Sequence, residues 1–347
     1  MSVVDIFITL PTSLSCSILR DWLSLKSVVA LDSACCCRAN RTFFEELLQS
    51  DEYFVREKII FAKHSAIQHE RLHGLPKIGS KLRSIEFNDK LSSAQASVIA
   101  LHCHNLTSVT YIGSRYTPGL WDILSNNTPI ELLSLLIYSN RVTTSTNRVS
   151  GLSLPNLTRL ALLGNSINTM HIEDVFSISS NIEYLNLEGA DLNMATLLQI
   201  LQLCPHIVSL GVAGLPLSDD DIRQLTAISP RIRHLDIEDI SSLGGITDIG
   251  ILAIVQNLTG LQSLNMKDND VCTHASLVHI YTYCSNTLHT LHLEGNYSLG
   301  EDYVRSMNTL LERCSRLRTL NFDYYTNNAI FTSKFVLPES TLRHMHE

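Results

Sequence analysis

Cysteine and histidine are the residue types in this chain that could bind a metal ion or perform thiol chemistry. The sequence has nine cysteines and fourteen histidines. Structural zinc sites and redox-active disulfides commonly use two cysteines separated by two residues, and no such pair occurs. Three adjacent cysteines at 35–37 would point in different directions on a helix, and His64, His69 and His73 are spread along a charged stretch typical of a helix surface. We therefore predict no metal site and no cofactor.

Two short motifs that mark common catalytic sites are also missing. The sequence has no glycine-rich phosphate loop and no Gly-x-Ser-x-Gly nucleophile elbow. Catalysis needs a nucleophile or an acid held beside an oriented partner in a cleft, and these motifs are the usual signs of one. We therefore expect that the protein is not an enzyme.

The distribution of charge restricts the partners. The net charge is −8, and residues 1–80 have nine Lys or Arg against nine Asp or Glu, so the whole surplus follows residue 80. Because negative charge repels phosphate, we expect neither nucleic acid nor a membrane as a ligand. No stretch approaches eighteen continuous apolar residues. Free thiols and the lack of a secretory signal pattern at 3–10 favour a cytoplasmic or nuclear protein.

A repeated apolar pattern organises most of the chain. A Leu-x-x-Leu-x-Leu pattern recurs ten times, at intervals of 24 to 29 residues. Its first residues are Leu82, Leu106, Leu132, Leu157, Ile182, Ile207, Ile232, Leu261, Leu288 and Leu317. This period and pattern are typical of leucine-rich repeats. Ten units of this kind would stack into a solenoid, in which each unit buries the apolar side of its neighbour.

Each unit contains two kinds of periodicity. In the stretch at 182–188, Leu185 and Leu187 alternate with polar residues, which predicts a short strand with its leucines turned inward. An asparagine often follows the strand, as at Asn269 and Asn296, where its amide can pair with turn backbone. Ser218 precedes three aspartates at 219–221, which is typical of a helix N-cap. The sequence predicts an α/β solenoid with parallel strands on the concave side and helices on the convex side.

Cysteines recur at the predicted end of the helix. They lie three or four residues before the next repeat begins, at Cys103, Cys204, Cys284 and Cys314, and Ser229 has the same place in its unit. A small side chain there would fill the corner between helix and strand. These units resemble the cysteine-containing leucine-rich repeats of substrate-receptor F-box proteins, which form a ribonuclease-inhibitor-like solenoid.

The first 75 residues lack the repeat. Their apolar residues have helical spacing at 14–23, 28–37 and 43–61, so we divide the chain into a helical module at 1–75 and a solenoid of ten to eleven repeats at 76–347. The helices could simply cap the solenoid. The order of Leu10-Pro11, Ile18-Leu19 and Val28 resembles an F-box. That resemblance implies that Leu10, Pro11, Ile18, Leu19 and Val28 dock on the adaptor subunit of a cullin-RING ubiquitin ligase.

Alternation of side chains along the strands also predicts a binding surface. The outward positions on the concave side that we select are Tyr184, Asn186, Glu188, His234, Asp236, Glu238, Asn265, Lys267, His292, Glu294, Asn321 and Asp323. They include five carboxylates and one lysine. We hypothesise that they receive a basic segment of a protein partner; the alternative is a surface that only contacts water.

Together these observations predict a protein-binding module that acts as the substrate-recognition subunit of an F-box type ubiquitin ligase. One alternative is a leucine-rich-repeat scaffold that has no link to a ligase. A second is a GTPase-activating regulator. At the far end, Leu342 lies 25 residues after Leu317 and could begin an eleventh repeat. Before it, residues 328–338 would either fold over the end of the solenoid or leave that end to another chain.

Overall fold

A computed structural model describes most of the chain after residue 78 and a few positions before it. The described residues are 15, 18, 42, 44, 46–48, 59–61, 75–76, 79–114, 117–127, 129–138, 152–164, 179–240, 245–269, 272–296, 303–326 and 329–336. Two compact units make up the chain: residues 1–139 with 143–158, and residues 140–142 with 159–347.

The first unit contains four parallel strands that pair in sequence order. They are β1 (Ile59–Phe61), β2 (Ser84–Asn88), β3 (Ser108–Gly113) and β4 (Leu132–Ile137). Helices α1 (Ser93–His102) and α2 (Pro118–Ser125) connect β2 to β3 and β3 to β4. Phe87 and Tyr111 lie in the core of this unit, with their ring centroids 5.4 Å apart in an edge-to-face arrangement.

The second unit contains seven parallel strands, again paired in sequence order. They are β5 (Arg159–Leu163), β6 (Tyr184–Asn186), β7 (Ser209–Gly211), β8 (His234–Asp236), β9 (Ser263–Asn265), β10 (Thr290–His292) and β11 (Thr319–Thr326). The described helices between them are α3 (Met194–Leu203), α4 (Asp219–Ile228), α5 (Asp248–Asn257), α6 (His274–Tyr283) and α7 (Tyr303–Arg313).

The inward leucines confirm the repeat. Each of the strands β6 to β11 contributes one leucine that is at most 2% exposed, and the strand register places these side chains in one continuous row. They are Leu185, Leu210, Leu235, Leu264, Leu291 and Leu320. Because every coil buries the leucine of its neighbour, stability comes from contacts between adjacent coils. This is the α/β leucine-rich-repeat solenoid predicted from the sequence.

One predicted repeat start was wrong. Leu132 is only half-buried, whereas Ile130 is fully buried and is followed by buried Leu133 and Leu135. The fourth unit therefore begins at Ile130. Residues 132–137 are apolar in both alternating phases, with Leu136 among the outward positions, so the sequence pattern alone could not choose the register.

The helix boundaries follow the predicted capping residues. The hydroxyl of Ser218 accepts a hydrogen bond from the Asp221 backbone N–H at 3.3 Å, and the carboxylate of Asp221 accepts one from the Ser218 N–H at 2.8 Å. The helix ends are equally regular, since Cys103, Cys204, Ser229 and Cys284 are the C-terminal capping residues of α1, α3, α4 and α6, and all four are buried. This confirms the small side chain predicted at these four corners, whereas the equivalent residue at the end of α5 is the larger Leu258, which is also buried.

The predicted asparagine turns also occur. Asn269 Nδ2 donates to Ile237 O at 2.8 Å, and Asn296 Nδ2 donates to Met266 O at the same distance. Each buried amide therefore satisfies a carbonyl of the preceding coil.

The amino-terminal module differs from expectation at its end. Residues 15, 18, 44 and 46–48 are helical, within the predicted helices at 14–23 and 43–61, and residue 42, just before the second range, is helical too. Residues 59–61 instead form β1, which pairs in parallel with β2. The sequence Ile-Ile-Phe favours a strand, because β-branched and aromatic residues fit a pleated sheet. The predicted helix at 28–37 lies outside the described residues.

A final strand ends the parallel series. Strand β12 (Ala329–Val336) pairs antiparallel with β11 along eight residues of each strand. We expected residues 328–338 either to fold over the end of the solenoid or to leave that end to another chain. The chain folds back over its own last repeat. Leu342 and the possible eleventh repeat lie outside the described residues. In the part of the chain that is described, no helix has the length and apolar character needed to cross a membrane.

Candidate protein-binding surface

The outward side chains of strands β6 to β11 form three rows across the sheet, which we call the strand face. The strand register defines the first row as Tyr184, Ser209, His234, Ser263, Thr290 and Thr319, and the second as Asn186, Gly211, Asp236, Asn265, His292 and Asn321. The third row, two residues further on, contains Glu188, Ala213, Glu238, Lys267, Glu294 and Asp323. All twelve residues selected from the sequence thus lie in these rows.

Side chains of the second row fix the backbone that follows them. The Oδ1 atoms of Asn186, Asp236 and Asn265 accept hydrogen bonds from the backbone N–H groups two residues later, at 3.0, 3.1 and 3.2 Å. Gly211 makes room for this arrangement, since a Cβ atom there would lie 2.6 Å from Asn186 Oδ1. The strand face is therefore held in place by its own polar side chains.

Glu238 is a carboxylate of the third row that accepts two hydrogen bonds. Its two oxygens accept from Asn265 Nδ2 at 2.9 Å and from Lys267 Nζ at 3.3 Å. Burial alone would lower the pKa of Lys267, but the negative charges of Glu238, Glu294 and Asp268 outweigh it and raise that pKa. Burial raises the pKa of the neighbouring Asp236. The strand face therefore has one lysine for the four carboxylates of its third row.

Further acceptors lie on β10 and β11. Asn321 Nδ2 is 2.7 Å from His292 Nδ1, and Glu294 Oε2 is 3.9 Å from the same nitrogen. Glu294 Oε2 and Asn321 Oδ1 are buried atoms without a hydrogen-bond partner. Asp323 Oδ2 accepts from the Gly295 N–H at 2.8 Å. Acceptors without a donor are unusual in a folded protein, and a cationic group that reached them would supply the missing hydrogen bonds.

The opposite end of the strands is basic, which the sequence analysis missed. At or just before the first residue of β8, β10 or β11 lie six basic residues, which we call the basic rim: Arg231, Arg233, His234, His289, Arg316 and Arg318. The signal was present in the sequence as two copies of Arg-x-Arg around repeat anchors, Arg231-Ile232-Arg233 and Arg316-Leu317-Arg318. Further up the sheet, the guanidinium of Arg159, the first residue of β5, lies over the ring of Tyr184, the first residue of β6, 5.8 Å from its centroid.

Most of the predicted adaptor-binding residues cannot be placed. Ile18 is helical and half-buried. Leu10, Pro11, Leu19 and Val28 lie outside the described residues.

One metal-site spacing was overlooked in the sequence. Residues 69–73 read His-Glu-Arg-Leu-His, and this spacing on a helix places two imidazoles on one face, as in zinc hydrolases. These five residues lie outside the described part of the chain. Among the described residues, no three His, Cys, Asp or Glu side chains are grouped so that they could hold a metal ion.

The described cysteines are buried in the repeats. Cys103, Cys204, Cys272 and Cys284 are at most 1% exposed, and burial raises the pKa of each thiol to about 12. Thiolate is the reactive form, so these groups are suited to packing and not to nucleophilic or redox chemistry.

Comparisons with known proteins support the fold. No protein-family model matches the chain, and no curated protein does so. Among solved structures, the leucine-rich-repeat-containing protein LegL7 from Legionella pneumophila is 17% identical, with a TM-score of 0.53 over 83% of this chain and 97% of that one. A chain of the Rad7 and Elc1 complex of yeast is 16% identical, with a TM-score of 0.55 over 89% of this chain and 86% of that one. The protein therefore has the leucine-rich-repeat fold.

Proposed function

We propose that the protein is a protein-interaction module whose strand face binds a basic segment of a partner. The observation that carries this proposal is the composition of the third row, which has a single lysine, Lys267, for four carboxylates, Glu188, Glu238, Glu294 and Asp323. Buried acceptors without donors, at Glu294 and Asn321, add a reason for a lysine or arginine side chain to bind there. A sheet of short strands keeps these groups at fixed spacing, so little ordering is needed when the partner binds.

Neutralising two carboxylates tests this proposal. Glu188 and Glu294 are carboxylates of the third row, and Gln is the uncharged isostere of Glu, so the Glu188→Gln, Glu294→Gln variant should fold. We expect its affinity for a fluorescent octalysine peptide, measured by anisotropy at low salt, to fall about fivefold, since an exposed ion pair contributes up to ~1 kcal/mol. The matched control, Asp220→Asn with Glu312→Gln, changes exposed helix positions and should bind like the unmodified protein. Equal binding by all three proteins would contradict the proposal.

We further propose that the amino-terminal module docks on the adaptor of a cullin-RING ligase, which would make the protein a substrate receptor. The resemblance of residues 10–28 to an F-box supports this proposal, and so does the half-buried helical position of Ile18. Such a role requires a cytoplasmic or nuclear location. The yeast Rad7 chain, a distant structural neighbour, was solved in a complex with another protein, Elc1.

Co-purification of the full chain with the adaptor tests the docking proposal. We expect the Leu10→Asp, Ile18→Asp variant to lose the adaptor, because charge in an apolar interface is costly. The control places the same two changes at exposed positions, Leu101→Asp with Ile249→Asp, where the side chains are 71% and 59% exposed. If the first variant still binds the adaptor, or if the unmodified chain does not bind it, the docking proposal is contradicted. The alternative of a scaffold with no link to a ligase would then be favoured.

The proposed role is binding and not catalysis. The assay that would contradict it is stimulation of GTP hydrolysis by small GTPases, because a GTPase-activating regulator is the enzymatic alternative. We expect no acceleration by the full chain.

A further inference from the structure

The basic rim is positively charged, whereas the molecule as a whole is negatively charged. The chain has a net charge of −8, yet the residues that begin β8, β10 and β11 supply four arginines and two histidines. The four arginines are exposed. The basic residues therefore cluster because of where they lie in the fold and not because the chain is rich in them.

The strand ladder brings the rim together. The Gln262 N–H donates to Arg233 O at 2.7 Å, the His289 N–H to Gln262 O at 2.7 Å, and the Arg318 N–H to His289 O at 2.8 Å. Arg233 and Arg318 are thus three strands apart, which corresponds to about 14 Å at the usual strand spacing. An extended peptide of about five residues covers that distance.

Among the described side chains, no Asp or Glu forms an ion pair with three arginines of the basic rim, Arg231, Arg233 and Arg316. Arg231 instead donates to an imidazole, with its Nη1 atom 3.3 Å from His206 Nδ1, so this contact brings no negative charge to the rim. Burial lowers the pKa of His234, and the positive charges of Arg233 and His289 lower it further. An anionic ligand would relieve this mutual repulsion.

We propose that the basic rim binds an acidic segment of the same partner whose basic segment binds the third row. This inference rests on the proposed function and adds the chemistry and the orientation of the partner. Asp323 lies five residues after Arg318 along the same strand, which corresponds to a distance of about 16 Å between them. A partner with acidic and basic stretches about that far apart fits in one direction only, because the reversed direction would place like charges together.

The same geometry favours a protein over a nucleic acid. A phosphate backbone is negative along its whole length, so a strand that extended from the rim toward the third row would meet carboxylates there and be repelled by them. A polypeptide can carry both charges side by side. We therefore assign the rim to glutamate- or aspartate-rich polypeptide.

Binding of a fluorescent octaglutamate peptide to the full chain at low salt tests the rim. We expect measurable binding that weakens about tenfold in the Arg233→Gln, Arg316→Gln variant. The matched control, Arg223→Gln with Arg305→Gln, removes two exposed arginines from helices α4 and α7 and should bind octaglutamate normally. No binding of octaglutamate, or equal binding by the two variants, would overturn the proposal.

Three further outcomes separate the possibilities. The Glu188→Gln, Glu294→Gln variant should keep its affinity for octaglutamate, so a failure of the third-row proposal is distinguishable from a failure of this one. A peptide with a glutamate block and a lysine block, joined by a flexible linker, should bind at least tenfold more tightly than octaglutamate. Equal affinity of the two peptides would overturn the proposal that one partner has both an acidic and a basic segment. An oligothymidylate that binds as tightly as octaglutamate, and weakens equally in the arginine variant, would reassign the rim to nucleic acid.

Discussion

Thr247 donates both its backbone N–H and its hydroxyl to the carboxylate of Asp219, at 2.8 and 2.6 Å. Thr247 is the N-cap of α5, and Asp219 is the first residue of α4, one coil earlier. Thr273, the N-cap of α6, repeats this contact with Asp248, at 2.9 and 2.6 Å. The start of one helix is therefore held by the start of the preceding helix, which links neighbouring coils through their helices.

Asp248→Asn should show how much this link contributes. Burial would raise the pKa of Asp248, but hydrogen bonds from Ser276 and Thr273 outweigh it and hold the pKa below its ordinary value. We expect the free energy of unfolding in urea to fall by about 1–3 kcal/mol at pH 7, since charge-assisted hydrogen bonds are lost. A depressed folded-state pKa means stability that is present above the unfolded pKa and lost as the pH falls through the folded one. The difference between the two proteins should therefore shrink below about pH 4.

The control for that measurement is Asp220→Asn, one residue after Asp219 on α4. Asp220 is exposed and pairs only with Arg223 of its own helix among the described residues. We expect a change within about 0.5 kcal/mol. A loss for Asp248→Asn that is no larger, or that persists unchanged at pH 3, would show that the link does not stabilise the solenoid.

Two glycines in the left-handed region should respond differently to alanine. Gly214 and Gly295 have φ angles of +70° and +74°. A Cβ at Gly214 would meet nothing nearer than 3.8 Å, whereas a Cβ at Gly295 would overlap Asp268 Oδ1. We expect Gly214→Ala to cost about 1–2 kcal/mol through backbone strain alone, and Gly295→Ala to cost more. Thermal unfolding of the two variants measures the difference, and the reverse order would be inconsistent with the described contacts.

Asn269→Ala should be strongly destabilising. Its amide donates to Ile237 O at 2.8 Å, and its Oδ1 accepts from the Ile240 N–H at 3.2 Å. Alanine would leave both backbone groups buried and unpaired, at a cost of about 1–3 kcal/mol each. Asn265→Ala, on the half-exposed strand face, is the comparison and should cost less. Urea unfolding followed by circular dichroism decides between them.

The buried thiols should be unreactive until the protein unfolds. Burial raises the pKa of Cys204 and Cys284 to about 12 and that of Cys314 to about 11. We expect no reaction of these cysteines with a thiol-specific reagent at pH 8 in the native protein, and rapid reaction in urea. Peptide mapping by mass spectrometry identifies the labelled positions. Labelling of Cys204 in the native protein would show that its coil opens readily.

Elemental analysis of the purified protein addresses the His-Glu-Arg-Leu-His stretch at 69–73. We expect less than stoichiometric zinc, as the prediction of no metal site requires. One zinc ion per chain, lost in a His69→Ala, His73→Ala variant, would reverse that prediction.

Sequence reasoning succeeded where a single side chain decides burial. Leu185 and its equivalents could be identified because inward positions must be apolar in every coil. It failed where two phases are both apolar, as at Ile130 and Leu132, and where a short strand follows a helical module, as at 59–61. In those places the choice depends on pairing with the next strand, which periodicity does not contain.

The polar parts of the surface were only partly predictable. Alternation placed Asp236 and Glu238 in their rows, because register follows from the strand. Arg233 and Arg318 precede the strands, where the alternation of inward and outward residues does not apply. Their alignment therefore becomes visible only when the coils stack. The contact between Thr247 and Asp219 joins residues 28 apart and depends in the same way on the exact superposition of coils.

Strand β12 limits how such a protein can lengthen during evolution. Tandem duplication extends a solenoid most simply by appending a coil to its last strand, but here β11 already pairs along eight residues with a strand of opposite direction. A new coil placed after β12 would meet an antiparallel template and could not continue the series. Growth by duplication must therefore insert coils upstream of β11, and a coil inserted between β6 and β11 would also alter the strand face.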